Sequence, residues 1–137
     1  YIRTLTGHLF RSYGVDPTLI SLELNVDDVE FDIDTGLTCG LIIDELVSNC
    51  LKHAFIDDSG GTVHIDLLDH VDGTFTLCVS DNGIGIPKDG VLNNPDSLGL
   101  ELVTLLAEKL DGSTELRSGA GTEWQIRFQQ LQYSERV

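Results

Sequence analysis

Glu45, Asn49, Lys52 and His53 follow one another at spacings of four, three and one in a segment of helical character, so they share one stripe of its surface. A carboxylate and an amide one turn apart offer oxygen donors suited to a hard cation such as magnesium, or to holding its waters. A plain solvent face is the other reading of such a stripe. Two points weigh against it: the stripe is narrow, and asparagine is a poor choice for an exposed helix interior. A second carboxylate, Asp81, ends the run Phe75-Thr-Leu-Cys-Val-Ser-Asp81 with the same parity as Phe75, Leu77 and Val79. Pointing inward, it carries a heavy desolvation cost unless it finds a partner. That partner is either a backbone amide of the glycine turn that follows or a ligand donor such as the exocyclic amine of a base.

The turn itself, Asn82-Gly83-Ile84-Gly85-Ile86-Pro87, contains glycines that let backbone approach a ligand closely. A bare Gly-x-Gly is common in surface turns; Asp-x-Gly-x-Gly-Ile-Pro at the end of a buried strand is far more specific. Further on, Ser97-Leu-Gly99-Leu-Glu-Leu102 places Gly99 in the first turn of a helix. Free amides and the helix dipole there favour phosphate, although a glycine at that point also serves plain packing.

The elements that must position these residues follow from periodicity. Ile2, Leu5, Leu9 and Phe10 predict a helix over 1–13 that stops at Gly14. Ile20, Leu22, Leu24 and Val26 alternate as a half-buried strand, and Val29–Ile33 reads as a second, short one. A long helix over 35–55 follows, capped by Asp34 or Thr35, with Leu37, Leu41, Ile42, Leu46, Cys50, Leu51 and Ala54 covering most of its circumference. Two strands run through Val63–Leu67 and Phe75–Val79. Asp96 or Ser97 caps a helix reaching Leu110, which Gly112 ends. Strands over 113–117 and 123–128 flank a Gly119-Ala-Gly121 turn, with Trp124, Ile126 and Phe128 on one side of the last. One-sided strands with few long helices predict an α/β two-layer sandwich, a mixed sheet covered by helices on one face.

The chain of 137 residues suits one domain with a real core, and its formal charge of −15 with eight basic residues excludes a phosphate-backbone binder such as a nucleic-acid protein. The acidity is read as a solvated, solubilising surface. An acidic domain that holds a polyphosphate needs a divalent metal and backbone amides to offset repulsion. Cys39, Cys50 and Cys78 lie in apolar segments at spacings unlike metal or redox motifs, and read as reduced, buried thiols of a reducing compartment. The start at Tyr1 reads as that of a piece of something longer, and no apolar run is long enough to span a bilayer.

Taken in order, these pieces resemble the ATP-binding catalytic domain of two-component sensor histidine kinases, which has the Bergerat nucleotide fold. Asp44-Glu-Leu-Val-Ser-Asn49-Cys-Leu-Lys-His53 resembles the asparagine box, Asp81–Pro87 the first glycine box, Ser97–Leu102 the second, and Gly121-Thr122-Glu-Trp-Gln-Ile126 the closing threonine motif. The likeness covers roughly residues 20–129 in correct order and is nearest to the branch with a short lid. Ser97 departs from it, standing where a glycine is common, and the phenylalanine motif of longer lids is not visible.

The resemblance implies that Asp81 accepts from the adenine amino group, with Thr122 assisting through water, and that Gly83, Gly85 and Ile86 carry the chain close to the nucleotide. It implies that Asn49 binds the Mg2+ bridging the phosphates of ATP and that Glu45 orders its water, the two forming the catalytic pair. Lys52 or His53 would meet phosphate oxygens, Leu98, Gly99 and Leu100 would present helix amides to them, and 87–97 would be the lid. It further implies a cytoplasmic, homodimeric parent with a response regulator as partner. Residues 1–14 would be the end of the second helix of a histidine-bearing dimerisation hairpin, and 15–137 the ATP-binding domain. His8 lacks the acidic neighbour of a phosphoacceptor. Two alternatives share these boxes: an ATPase of MutL or gyrase type, with Glu45 activating water, and an anti-sigma-like serine kinase. A catalytically silent nucleotide-binding module is a third.

Overall fold

The computed structural model describes residues 2–12, 14, 18–54, 60–83, 97–118 and 121–129. In chain order these form α1 (Ile2–Ser12), β1 (Ile20–Val26), α2 (Ile33–Asn49) continuing as a π-helical turn (Cys50–Ala54), β2 (Gly61–Asp69), β3 (Thr74–Asp81), α3 (Ser97–Lys109), β4 (Ser113–Ser118) and β5 (Thr122–Gln129). The strands make one sheet in the order β1-β2-β3-β5-β4. β1 and β2 run parallel, joined through α2, and every other pairing is antiparallel.

Alternation puts Val63, Ile65, Leu67, Phe75, Leu77, Val79, Ile126 and Phe128 on one buried face. Against that face α2 lays Ile42, Ile43, Leu46 and Val47, and α3 lays Val103, Ala107 and Leu110. α1 and α3 each pack on α2. The result is the expected two-layer sandwich with a mixed sheet. α1 belongs to this packing: Leu5, Leu9 and Phe10 rest on the core, and Thr6 is fully buried.

Val29–Ile33 is not a strand. The segment instead turns Phe31 inward, edge-on to Phe75 at 5.0 Å between ring centres and 5.9 Å from Phe128, closing one end of the sandwich. The helix then starts earlier than its apolar pattern indicates. Asp32, not Asp34 or Thr35, is the N-cap, its Oδ1 accepting from the Thr35 amide at 2.8 Å. Ile33 stands exposed as the first helical residue. Leu37 and Leu41, two of the apolar set that covers most of the helix circumference, lie on the solvent side of α2.

Gly112 was also expected to end α3, but the left-handed residue there is Asp111, at φ 52°. The Gly112 amide donates to the Ala107 carbonyl at 2.9 Å and the Asp111 amide to that of Glu108 at 3.0 Å, a Schellman motif. Aspartate tolerates the left-handed conformation better than most residues. Gly112 is required for a different reason: a methyl group there would strike the Arg127 carbonyl oxygen of β5. Of the three cysteines, Cys39 and Cys50 are buried, whereas Cys78 is half-buried on the opposite face of β3.

Candidate nucleotide site

The end of β3 is held from three sides. Asp81 pairs with Val63 of β2 and with Thr122 of β5, so the first residue of the closing threonine motif's strand lies directly across from the carboxylate. Next to it, the Asn82 Oδ1 accepts from the Thr62 amide at 2.8 Å and the Asn82 amide returns a bond to the Thr62 carbonyl at 3.3 Å. On the other side, Gly121 passes so near that an added methyl group would collide with the Asp81 carbonyl oxygen. Only a residue without Cβ lets β5 begin there.

The Asp81 carboxylate is half-buried and has two donors among the described residues. Oδ1 accepts from the Gly83 amide at 2.9 Å, the turn amide anticipated from the sequence. Oδ2 accepts from the Cys50 thiol at 3.2 Å. Each carboxylate oxygen accepts more than one bond, so capacity remains for a ligand donor. The thiol is the partner that sequence reading missed, because Cys50 falls among the apolar residues of its helix. Burial is the main cause holding the Cys50 pKa well above the ordinary thiol value, followed by the Asp81 charge and the bond to it. Burial likewise raises Cys39 to about 12 and Cys78 to about 11. At neutral pH all three are thiols, and Cys50 stays a donor.

Asn49 is the last α-helical residue of α2, one position before Cys50. Its Nδ2 is shielded from solvent and has no hydrogen-bond partner, the one such side-chain atom among the described residues. An orphaned buried amide is costly to the fold and calls for an external partner. The group fits an anionic oxygen through its N–H, or a cation through Oδ1 with the amide turned over. The donor chemistry therefore suits Mg2+ with phosphate.

One turn earlier on α2, Glu45 reaches α3. A Cβ on Gly99 would fall 2.5 Å from Glu45 Oε2, so the carboxylate lies directly against the Gly99 backbone in the first turn of that helix. The structure thus brings together Glu45 with Gly99, and separately Asp81 with Gly83, Thr122 and the residue after Asn49. Lys52 lies on the π-helical turn, exposed to solvent. Leu100 is half-buried and packs on the core. The side chains of His53 and Leu98, the residues Gly85 and Ile86, and 87–96 of the lid expected over 87–97 lie outside the described residues, while Ser97, the last residue of that lid, opens α3. A cavity of about 560 Å³ lined by Leu24, Val29, Phe31, Cys39 and Leu77 sits at the opposite end of α2, away from this constellation.

The α/β sandwich thus carries a carboxylate at a strand end, an orphaned amide on the neighbouring helix and a carboxylate against a helix N-terminus. The chain belongs to the histidine kinase-, DNA gyrase B- and HSP90-like ATPase family, whose model matches residues 36–132. It is 31% identical over 104 residues to the blue-light-activated histidine kinase 2 of Erythrobacter litoralis. It is 35% identical over 100 residues to the sensor histidine kinase PdtaS of Mycobacterium tuberculosis. These alignments take in 75% and 70% of this chain but only 30% and 20% of the relatives. In structure it superposes on the histidine kinase domain of the Erythrobacter litoralis EL346 blue-light-activated kinase with a TM-score of 0.85 at 26% identity, over 95% of this chain and 59% of that one. The mycobacterial sensor histidine kinase MprB shares the fold, with a TM-score of 0.73 at 19% identity over 96% of this chain and 95% of that one. The chain is thus an ATPase domain of histidine-kinase type.

Proposed function

We propose that this chain binds Mg-ATP between the end of β3, the C-terminal end of α2 and the N-terminus of α3, and presents the γ-phosphoryl group to a histidine on a separate helical hairpin. A response regulator would then take the phosphoryl group from that histidine. One observation carries the reading: the half-buried Asp81 carboxylate is tied to Cys50, the residue beside Asn49, whose Nδ2 has no partner among the described residues. Asp81 receives the base amino group, and Thr122, opposite it, holds the water between them. Asn49 supplies the amide to the metal and phosphates. Glu45 and the Gly99 backbone set the position of what binds there. A divalent ion, when bound, neutralises phosphate charge, which a chain of net charge −15 cannot do with its own side chains alone.

The acceptor histidine belongs to the parent protein. Residues 1–14 are assigned to the end of its hairpin, and within them α1 packs on α2. Ile33, Leu37 and Leu41 on α2, with Leu102 and Leu105 on α3, are exposed apolar residues of the helical layer, which suits docking of such a hairpin. With labelled ATP, the chain alone is expected to acquire little acid-labile phosphate, and the parent's hairpin added in trans is expected to become labelled. Strong labelling at His8, or acid-stable label on serine, would overturn this reading. So would phosphate release unaffected by the hairpin, which is the behaviour of a water-activating ATPase.

Gly99→Ala separates positioning from folding. Alanine is the better helix former by about 1 kcal/mol, and what it meets is the flexible end of Glu45, not backbone. The melting temperature is therefore expected to hold or rise slightly. Displacement of the Glu45 carboxylate is expected to slow phosphoryl transfer to the hairpin about tenfold or more, since misplacement by an ångström costs that much or worse. Unchanged transfer rates in this variant would remove Glu45 from the site.

A further inference from the structure

We infer that the Cys50 thiol is a positioning and specificity-determining group for base recognition, fixing the Asp81 carboxylate so that it selects a 6-amino purine over a 6-oxo purine. The inference rests on the proposed role of Asp81 as acceptor for the base. Two observations carry it. The thiol sits 3.2 Å from Asp81 Oδ2, while the Gly83 amide takes Oδ1 at 2.9 Å, so the carboxylate is clamped at both ends. And α2 changes from α to π winding at Cys50, whose amide donates to both the Leu46 and Val47 carbonyls. π-Helical turns widen a helix locally and are concentrated at functional sites.

A cysteine placed only to fill the core has no need of a carboxylate. Cys50 is 7% exposed, and its sulfur excludes water from the side of Asp81 that it touches. Without the thiol, Oδ2 is a desolvated anionic oxygen lacking a donor on that side, and the carboxylate is free to turn about its last bond towards other donors. A turned carboxylate no longer holds its free lone pair where the base amine arrives. Recognition of the amine weakens, while recognition of a base that lacks it is untouched.

The test is the ratio of ADP to IDP affinity of the full 137-residue chain in magnesium, titrated for four proteins: the parent chain, Cys50→Ala, Cys50→Ser and Asp81→Asn. Loss of one hydrogen bond from a weak donor predicts a fall of about three- to tenfold in that ratio for Cys50→Ala, carried by weaker ADP binding. Cys50→Ser, whose hydroxyl replaces the donor, is expected to stay within about twofold of the parent chain. The inference is overturned if Cys50→Ala leaves the ratio unchanged while Asp81→Asn collapses it. It is also overturned if Cys50→Ala weakens ADP and IDP equally, or if serine fails to rescue, because either result describes packing alone. Should Asp81→Asn itself leave the ratio unchanged, the base-recognition reading of Asp81 falls first, and this inference with it.

Discussion

Asp81→Asn is expected to weaken ATP binding by about 10- to 100-fold, the cost of losing a hydrogen bond to a charged acceptor. The substitution keeps size and shape, so the fold gives little cause for the loss. The Gly83 amide at 2.9 Å needs an acceptor, which assigns the remaining amide oxygen to the Oδ1 position. The new NH2 then falls on the Oδ2 side, where the Cys50 sulfur can turn to accept from it. A donor now stands where an amino purine also brings a donor, and the pair repel. A 6-oxo purine brings an acceptor instead, so IDP is expected to gain on ADP. Calorimetric titration of both nucleotides, with thermal melts to confirm folding, reads the effect directly. A change in ATP affinity below about threefold would take the base away from Asp81.

Much of this site was legible because its residues sit where periodicity is strong. Alternation through Phe75, Leu77 and Val79 fixed the parity of Asp81, and the turn that follows could be named as one of its two candidate partners; the Gly83 amide fills that place. The spacing of Glu45 and Asn49 placed both on one side of α2, and Gly99 in the first turn of α3 proved to lie against Glu45. Helical arithmetic reaches only to Cys50, because the winding changes from α to π there and a count of 3.6 residues per turn does not carry past it. Lys52 and His53 were placed on the stripe by that count. Cys50 was missed for a second reason: a thiol is counted as apolar, and only the fold shows that its hydrogen ends on a carboxylate 31 positions away.

The errors outside the site have a common cause as well. Val29, Phe31 and Ile33 alternate as a strand does, but no strand among the described residues pairs with them. Phe31 finds Phe75 and Phe128 instead, and Asp32 is drawn into capping α2. Tertiary packing outranked local pattern there. At the end of α3 the pattern favoured glycine at the left-handed position, whereas the chain places Asp111 there and uses Gly112 one step later for close passage to β5. Asn82 belongs to the same class: its pinning of β3 to Thr62 depends on strand register, which composition does not reveal.

Asn49→Leu is expected to move stability and function in opposite directions. The buried Nδ2 has no partner among the described residues, and such an orphan costs about 1–3 kcal/mol. Leucine has the same number of side-chain heavy atoms in the same branched arrangement, no polar atom to bury, and a better helix propensity by a few tenths of a kcal/mol. The variant is therefore expected to melt higher, by roughly 3–8 °C for a gain of 1–2 kcal/mol in a domain of this size. Magnesium-dependent ATP affinity is expected to fall, and phosphoryl transfer to the hairpin to drop by about a hundredfold or more, because in the proposed role the amide would serve both metal and phosphates. A residue held only for the fold would not give this pattern, since its removal lowers stability and activity together. Differential scanning calorimetry, with nucleotide titrations run with and without magnesium, measures both sides. A lower melting temperature would mean that the amide has a partner inside the fold. Transfer rates equal to those of the parent chain would show that the metal is held elsewhere.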